Sequence, residues 1–270
     1  MDQNLEQLRK QGLELAAVSY DSEAILKNFA ERRKIRYPLL SDADSKTIRE
    51  FGILNESVPK THAFHGIPHP VTFVTDHGGV VKSKYFEEDY KERQTLAGLL
   101  AKDYGIAPGS AKGTPQAKHV KITTTASTEK ISHGQRILLA VEIEMAKGLH
   151  LYAPGVEGYI ATEWKMPETP LAKAHEVVYP KSRVLYLEAI KEKVPVFEGK
   201  IRLLRDVTMG PDKALRGAMG EGNKVIIEAG LRYQACNDRL CYPPETVPLK
   251  WELELTRMDS ERVPAGLRKQ

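Results

Sequence analysis

Along the second half of the chain, apolar residues recur at every second position. Ile137, Leu139, Val141, Ile143 and Met145 alternate with Arg136, Leu138, Ala140, Glu142 and Glu144. Val247, Leu249, Trp251, Leu253 and Leu255 alternate with Pro248, Lys250, Glu252 and Glu254. A period of two is the signature of strands with one buried face. Residues 196–207 and 224–233 are further strand candidates. Several short strands with turn signals between them predict an all-β sandwich, with Trp164 and Trp251 in its core.

The first half has a different rhythm. Leu5, Leu8 and the run L-E-L-A-A-V-S predict a short helix leading into a buried strand. Asp21 and Ser22 can cap a helix carrying Ile25, Leu26, Phe29 and Ala30 at helical spacing. Y-P-L-L-S-D is a short extended piece, and residues 44–51 a second helix. H-P-V-T-F-V-T-D reads as a strand, D-H-G-G as its turn and V-V-K-S-K-Y-F as its hairpin partner. A last helix is predicted over residues 90–103. Strands alternating with helices indicate an α/β layer.

Between the halves the chain turns to Gly, Ala, Pro, Ser and Lys, which reads as a linker. The predicted organisation is an α/β domain over 1–103, a linker over 104–117, a β-sandwich over 118–258 and a tail over 259–270. The 40 basic and 36 acidic residues are interspersed and leave a net charge of +4. That balance describes a solvated surface and not a nucleic-acid footprint. No apolar run is long enough to span a membrane, and the first residues as written, without a basic and then apolar stretch, are not expected to be a signal peptide.

The chemistry concentrates in one stretch, Y-Q-A-C-N-D-R-L-C-Y-P-P-E over residues 233–245. It holds the only two cysteines, Cys236 and Cys241, with four residues between them. If the flanking segments are antiparallel strands, the cysteines face each other at a Cα separation of about 4.5–5.5 Å, which a disulfide accepts. Closing so short a loop stabilises by only about 2 kcal/mol, and a chain of this length folds without staples. The pair therefore suits cycling between dithiol and disulfide. The alternatives are a passive hairpin disulfide, two free buried thiols or a zinc half-site, for which no second cysteine pair exists. Arg232 and Arg239 would favour a thiolate and Asp238 would oppose it, although all three also fit ordinary surface charge. Tyr242 and the prolines after it stiffen the exit of the loop.

The run C-N-D-R-L-C-Y-P-P-E, preceded by Tyr233, resembles the cysteine motif of the N-terminal domain of the thiol:disulfide interchange protein DsbD. G-L-H-L-Y-A-P-G over residues 148–155 resembles the strand and turn that face the cysteines in that family, and residues 178–200 fit the same pattern. The cysteine loop here is one residue shorter than the family's. The resemblance implies an immunoglobulin-like fold and thiol–disulfide exchange with redox partner proteins in an extracytoplasmic, periplasmic setting. It also implies that Cys241 forms the mixed disulfide and Cys236 resolves it, with His150 and Tyr152 lining the site beside Tyr242.

A-A-V-S-Y-D-S, F-A-E-R-R-K-I-R-Y-P-L-L-S-D, I-R-E-F-G-I-L and I-P-H-P-V-T-F-V-T-D-H-G-G-V-V together resemble the peroxiredoxin (AhpC/TSA, redoxin) family in order and spacing. The resemblance implies a thioredoxin-like fold, incomplete at its N-terminus. The nucleophilic cysteine of that family would precede the residues seen here. Peroxide reduction by this chemistry needs a thiolate, so the first half as written is not expected to act as a peroxidase. An antioxidant enzyme whose catalytic segment lies upstream is one alternative reading, and a non-catalytic binding module with a structural disulfide is another. By the same likeness Pro70 stands where thioredoxin-like proteins hold a cis proline; a trans proline opening an edge strand is the other possibility. His62, His65, His69 and His77 crowd one loop-like region with irregular spacing, so neither a metal nor a cofactor is expected.

Overall fold

A computed structural model describes residues 5–62, 65–86, 96–106, 108–187, 191–256, 261 and 263–267. The chain divides into two compact units, residues 1–93 with 259–270, and residues 94–258.

In the first unit the elements run α1 (Leu5–Lys10), β1 (Ala17–Ser19), α2 (Glu23–Arg33), β2 (Leu39–Ser41), α3 (Lys46–Glu50), β3 (Val71–Thr75) and β4 (Val81–Phe86). This is the expected alternation of helix and strand. β1 and β2 pair in parallel, and β3 and β4 form an antiparallel hairpin. Asp76 closes that hairpin by accepting hydrogen bonds from the amides of Gly78 and Val80, as an aspartate opening a turn does. Asp42 is buried and caps α3, accepting from the amides of Thr47 at 3.0 Å and Ile48 at 2.8 Å. Burial alone would raise its pKa, but these donors outweigh it and hold the carboxyl below its ordinary range.

Two expectations for this unit change. The strand in L-E-L-A-A-V-S begins only at Ala17, and Val18 is 49% exposed rather than buried. The physical reason is that, among the described residues, β1 has β2 as its one neighbour and nothing covers Val18. Pro70 directly precedes β3, and no peptide bond among the described residues is cis, so the cis reading gives way to the trans one. A trans proline suits that place, where its missing N–H takes nothing from the ladder. Of the predicted helix over 90–103, residues 90–95 lie outside the described part.

The second unit opens with α4 (Leu96–Asp103), followed by β5 (Ser110–Gly113), β6 (Val120–Ala126), β7 (Lys130–Ile131), β8 (Arg136–Met145), β9 (His150–Tyr152), β10 (Glu163–Lys165), β11 (Ala172–Val178), β12 (Arg183–Leu187), β13 (Glu192–Glu198), β14 (Lys200–Met209), α5 (Asp212–Gly217), β15 (Lys224–Tyr233), β16 (Ala235–Cys236) and β17 (Glu245–Leu255). One sheet has the order β11-β14-β8-β6-β5, a second β10-β15-β17-β7 and a third, smaller one β12-β13-β9-β16. The stretch expected as linker thus contains β5, which pairs irregularly with β6.

The core lies between the two larger sheets. Alternate residues of β15 and β17 point into it, and Trp164 and Trp251 stack there at 5.6 Å. The Trp251 indole donates to the Thr125 carbonyl across the sandwich at 2.9 Å, so its one polar atom is satisfied. Solvent-facing positions of β15 and β17 carry exposed ion pairs, Lys224–Glu252 and Lys250–Glu228. Such pairs contribute little. In β8 the alternation breaks, because Leu138 and Ala140 are also buried, against Ala101 of α4 and Leu204. The helix covers what would otherwise be the wet face of that sheet. The strand expected over 196–207 is in fact two, β13 and β14, divided at Gly199, whose φ of 68° suits glycine. That corner carries the chain from the small sheet into the large one.

Gly210 follows β14, and its amide donates to the Leu171 carbonyl at 2.8 Å. A Cβ there would collide with the Pro170 carbonyl oxygen and stand 3.1 Å from the Leu171 carbonyl, both of them backbone. Gly210→Ala should therefore cost about 1–3 kcal/mol, read as a lowered urea midpoint of the second unit. Gly217→Ala in α5 meets open space and should leave the midpoint unchanged or slightly raised.

Candidate functional site

After Tyr233 the chain leaves the β15–β17 sheet and joins the small one, where β16 pairs with β9: Ala235 opposite Leu151, and Cys236 opposite His150. On the far side of β9 lies β13, with Val196 opposite Tyr152, Phe197 opposite Leu151 and Glu198 opposite His150. Strand alternation sorts these residues between two faces. Leu151, Phe197 and Ala235 enter the main core. Tyr152, Val196 and Cys236 form a second cluster on the opposite face, with Val194 and the partly buried Val156, Tyr159 and Leu185.

Cys236 and Cys241 are disulfide-bonded, with an S–S distance of 2.10 Å and Cα atoms 4.1 Å apart, and they face each other as an antiparallel bridge. Their environments differ sharply. Cys236 is 1% exposed, whereas Cys241 lies at the surface beside Leu240, which is 55% exposed. The loop between them is held by its own hydrogen bonds. Asn237 donates its amide to the Leu240 carbonyl and accepts at Oδ1 from the amides of Arg239 and Leu240. This is an Asx turn, and it shapes the loop between the two sulfurs.

Tyr152 lies beside Cys241, and His150 lies opposite Cys236 on the neighbouring strand. The Tyr152 hydroxyl is 3.7 Å from Cys241 Sγ; a disulfide sulfur carries no hydrogen, so the hydroxyl is the donor. Burial raises the Tyr152 pKa, and its ring packs on Tyr159 at 4.5 Å. His150 is buried, and its ring meets the Tyr152 ring edge-on at 5.6 Å. Burial lowers the imidazole pKa, and the carboxylates of Glu198 and Asp238 pull the other way. Tyr242 has its ring directed elsewhere than the hydrogen bond that Tyr152 makes to Cys241. It stacks on His119 at 3.8 Å, and its backbone bonds to Ala235 and to the Gln234 side chain, which anchors the loop exit. Arg232 sits opposite Glu163 on β10, and Arg239 is exposed in the loop. Pro70 belongs to the first unit.

A set of contacts that sequence reasoning did not anticipate, among Tyr233, Glu245 and Lys118, holds the base of the loop. The buried Tyr233 hydroxyl donates to the Glu245 carboxylate at 2.6 Å and lies 2.8 Å from the Lys118 carbonyl. Glu245 also accepts from the Lys118 amide at 2.9 Å. Burial, and then the Glu245 carboxylate, push the Tyr233 pKa far up. The signal for Asn237, an Asn-Asp pair in a short loop, was present in the sequence. Nothing local marks Lys118 as a partner 115 positions from Tyr233. Elsewhere, His65 Nδ1 lies 3.3 Å from the Val58 carbonyl, and His69 packs on Phe86. Among the described residues no three metal-ligating side chains converge, and no helix is long and apolar enough to cross a membrane.

Comparison with known proteins finds both likenesses carried by the motifs. Residues 1–84 match the AhpC/TSA family, and residues 119–250 match the family "Thiol:disulfide interchange protein DsbD, N-terminal". The chain is 30% identical over 88 residues to Peroxiredoxin Bcp of Escherichia coli (strain K12), covering 33% of this chain and 54% of that protein. It is 32% identical over 99 residues to the chloroplastic Peroxiredoxin Q of Arabidopsis thaliana, covering 36% of this chain and 43% of that one. It therefore spans about half the length of these relatives. Among solved structures, the N-terminal periplasmic domain of ScsB from Proteus mirabilis aligns with 54% of this chain and 52% of its own, at 12% identity and a TM-score of 0.37. The reduced DsbD N-terminal domain of Neisseria meningitidis aligns with 56% of this chain and 90% of its own, at 16% identity and a TM-score of 0.30. The chain thus joins a segment that matches the AhpC/TSA family to one that matches the DsbD N-terminal family, an α/β unit followed by a β-sandwich.

On reduction, the Tyr152 hydroxyl would donate to the Cys241 thiolate and favour it over the thiol. Tyr152→Phe should raise the Cys241 thiol pKa by about 0.5–1 unit, the worth of one such hydrogen bond. The ultraviolet absorbance of the thiolate across a pH titration of the reduced protein measures this. An unmoved pKa would show that the contact has no electrostatic role.

Proposed function

We propose that this chain carries out thiol–disulfide exchange with redox partner proteins through Cys236 and Cys241. Cys241 is the sulfur that meets the partner, and Cys236 is the one that resolves the mixed disulfide. The observation that carries the assignment is the unequal burial of the two sulfurs' residues, with Cys236 at 1% and Cys241 at the surface. Exchange requires the attacking thiolate, the attacked sulfur and the leaving sulfur to lie in line. A partner disulfide can reach that geometry at Cys241. Cys236 needs to reach only its neighbour, held close by the Asn237 turn.

In the reducing direction, the Cys241 thiolate attacks the partner's disulfide, and one partner thiolate leaves. Cys236 then attacks Cys241 Sγ, the second partner thiolate leaves and the internal disulfide remains. Leu240, exposed beside Cys241, offers the partner an apolar contact next to the entry sulfur. His150 and Tyr152 line the site, and Tyr242 supports it from behind. The match to the thiol:disulfide interchange family supports this reading. The proposed setting is oxidising and extracytoplasmic, such as a periplasm, where a disulfide of this kind persists.

Within this proposal residues 118–258 form the exchange module, joined through 104–117 to the redoxin-like module of 1–103 and ending in the tail 259–270. Residues 1–84 hold no cysteine, so the thiol chemistry of the chain as given resides in the second module.

The test is a pair of serine variants offered a disulfide substrate such as oxidised glutathione. Cys236→Ser should accumulate a stable mixed disulfide on Cys241, seen by mass spectrometry, and turn over no further. Cys241→Ser should lose exchange altogether. Undiminished exchange in Cys241→Ser would defeat the assignment.

A further inference from the structure

One buried nitrogen stands beside the disulfide with no partner. His150 is 2% exposed, and its Nε2 has no hydrogen-bond partner among the described residues. Leaving a buried polar atom unpaired costs about 1–3 kcal/mol, so its presence calls for a physical reason.

The ladder supplies one. Glu198 on β13, His150 on β9 and Cys236 on β16 are directly opposed in succession. Directly opposed residues share a face, with Cβ atoms about 4.5–5.5 Å apart. Carboxylate, imidazole and sulfur therefore form a row across the small sheet. The other groups facing the imidazole are Tyr152, on its own strand, and Asp238, from the cysteine loop. Glu198 is itself held by Arg183, 2.7 Å away. With burial lowering its pKa, the imidazole is neutral at neutral pH, and a neutral ring has one nitrogen free to accept a proton.

We propose that His150 is the general base of the resolving step, taking the proton of the Cys236 thiol. The proposal rests on the assignment above of Cys241 as the entry sulfur and Cys236 as the resolver. Reduction makes Cys236 a thiol sealed from water, and apolar burial raises a thiol's pKa, although only the thiolate attacks. When a partner sulfur is joined to Cys241, the Cys236 proton passes to His150 Nε2. The freed electron pair on Cys236 Sγ forms the bond to Cys241 Sγ. The bond from Cys241 to the partner breaks, and its electron pair leaves on the partner's sulfur. The imidazolium, beside Asp238 and Glu198, returns its proton to that thiolate or to water. Two electrons have passed from the cysteine pair to the partner disulfide, and no other reactant is needed. In the disulfide state Cys236 has no proton to give, which accounts for the unpaired Nε2.

The test uses the full reduced chain and dithio-bis-nitrobenzoate, which releases one coloured thiolate when Cys241 attacks it and a second when Cys236 resolves the adduct. His150→Gln should leave the first phase unchanged and slow the second about a hundredfold, the usual scale of general-base catalysis. The rise of the second phase with pH through the imidazole range should vanish as well. Should His150→Gln fail to fold, Glu198→Gln decides. Removing that carboxylate lowers the imidazole pKa, so the second-phase midpoint should move to lower pH. A second phase with wild-type rate and pH profile in folded His150→Gln, or an unmoved midpoint in Glu198→Gln, would overturn the proposal. The cysteine variants separate this failure from that of the underlying assignment. If Cys241→Ser keeps the fast first phase while Cys236→Ser loses it, the roles of the sulfurs are wrong whatever His150 does.

Discussion

The site depends on the pairing of three short strands, β13, β9 and β16. Because alternate residues of a strand point to opposite faces, one register decides both what is buried in the core and what meets the sulfurs. Leu151, Phe197 and Ala235 tie the small sheet to the sandwich core, and His150, Tyr152 and Cys236 are thereby turned to the other side. A slip of one residue would exchange the two sets. The apolar burial of Leu151 and Phe197, at 0% and 2% exposure, is worth about 1.5–3 kcal/mol for each side chain. That is what holds the chemistry in register.

The disulfide itself contributes little to the fold. Its loop is short, and chain entropy assigns it only about 2 kcal/mol, against a core of two facing sheets around Trp164 and Trp251. The Asn237 turn and the Tyr233–Glu245–Lys118 clamp add hydrogen bonds that shape and anchor the loop besides the S–S bond. One residue of the pair is exposed and the other buried, which is the asymmetry that the proposed ordered exchange requires. A purely structural bridge would gain nothing from it.

Much of this was legible in the sequence where one face of a strand is wet and the other dry. β15 and β17 alternate cleanly for that reason, and the paired cysteines announced a bridge by their spacing. Other features had no such contrast. Leu138 and Ala140 are apolar on the face that should be polar, a sign that something covers it, but only packing reveals that the cover is α4. The apolar run through residues 194–209 conceals a change of sheet, betrayed by Gly199 alone. The L-E-L-A-A-V run promised a buried strand, and the exposure of Val18 reflects a strand with β2 as its one partner among the described residues. The row of Glu198, His150 and Cys236 joins three strands far apart in the chain, so no local pattern could have brought it together.

The central claim is that the Cys236–Cys241 bond opens and closes in exchange with partners. Equilibrating the full chain in glutathione redox buffers and counting free thiols gives its reduction potential directly. The account predicts a value above about −300 mV, within the range in which cellular thiol pools can reduce the pair. A value well below about −300 mV would mark a permanent structural bridge and contradict the account.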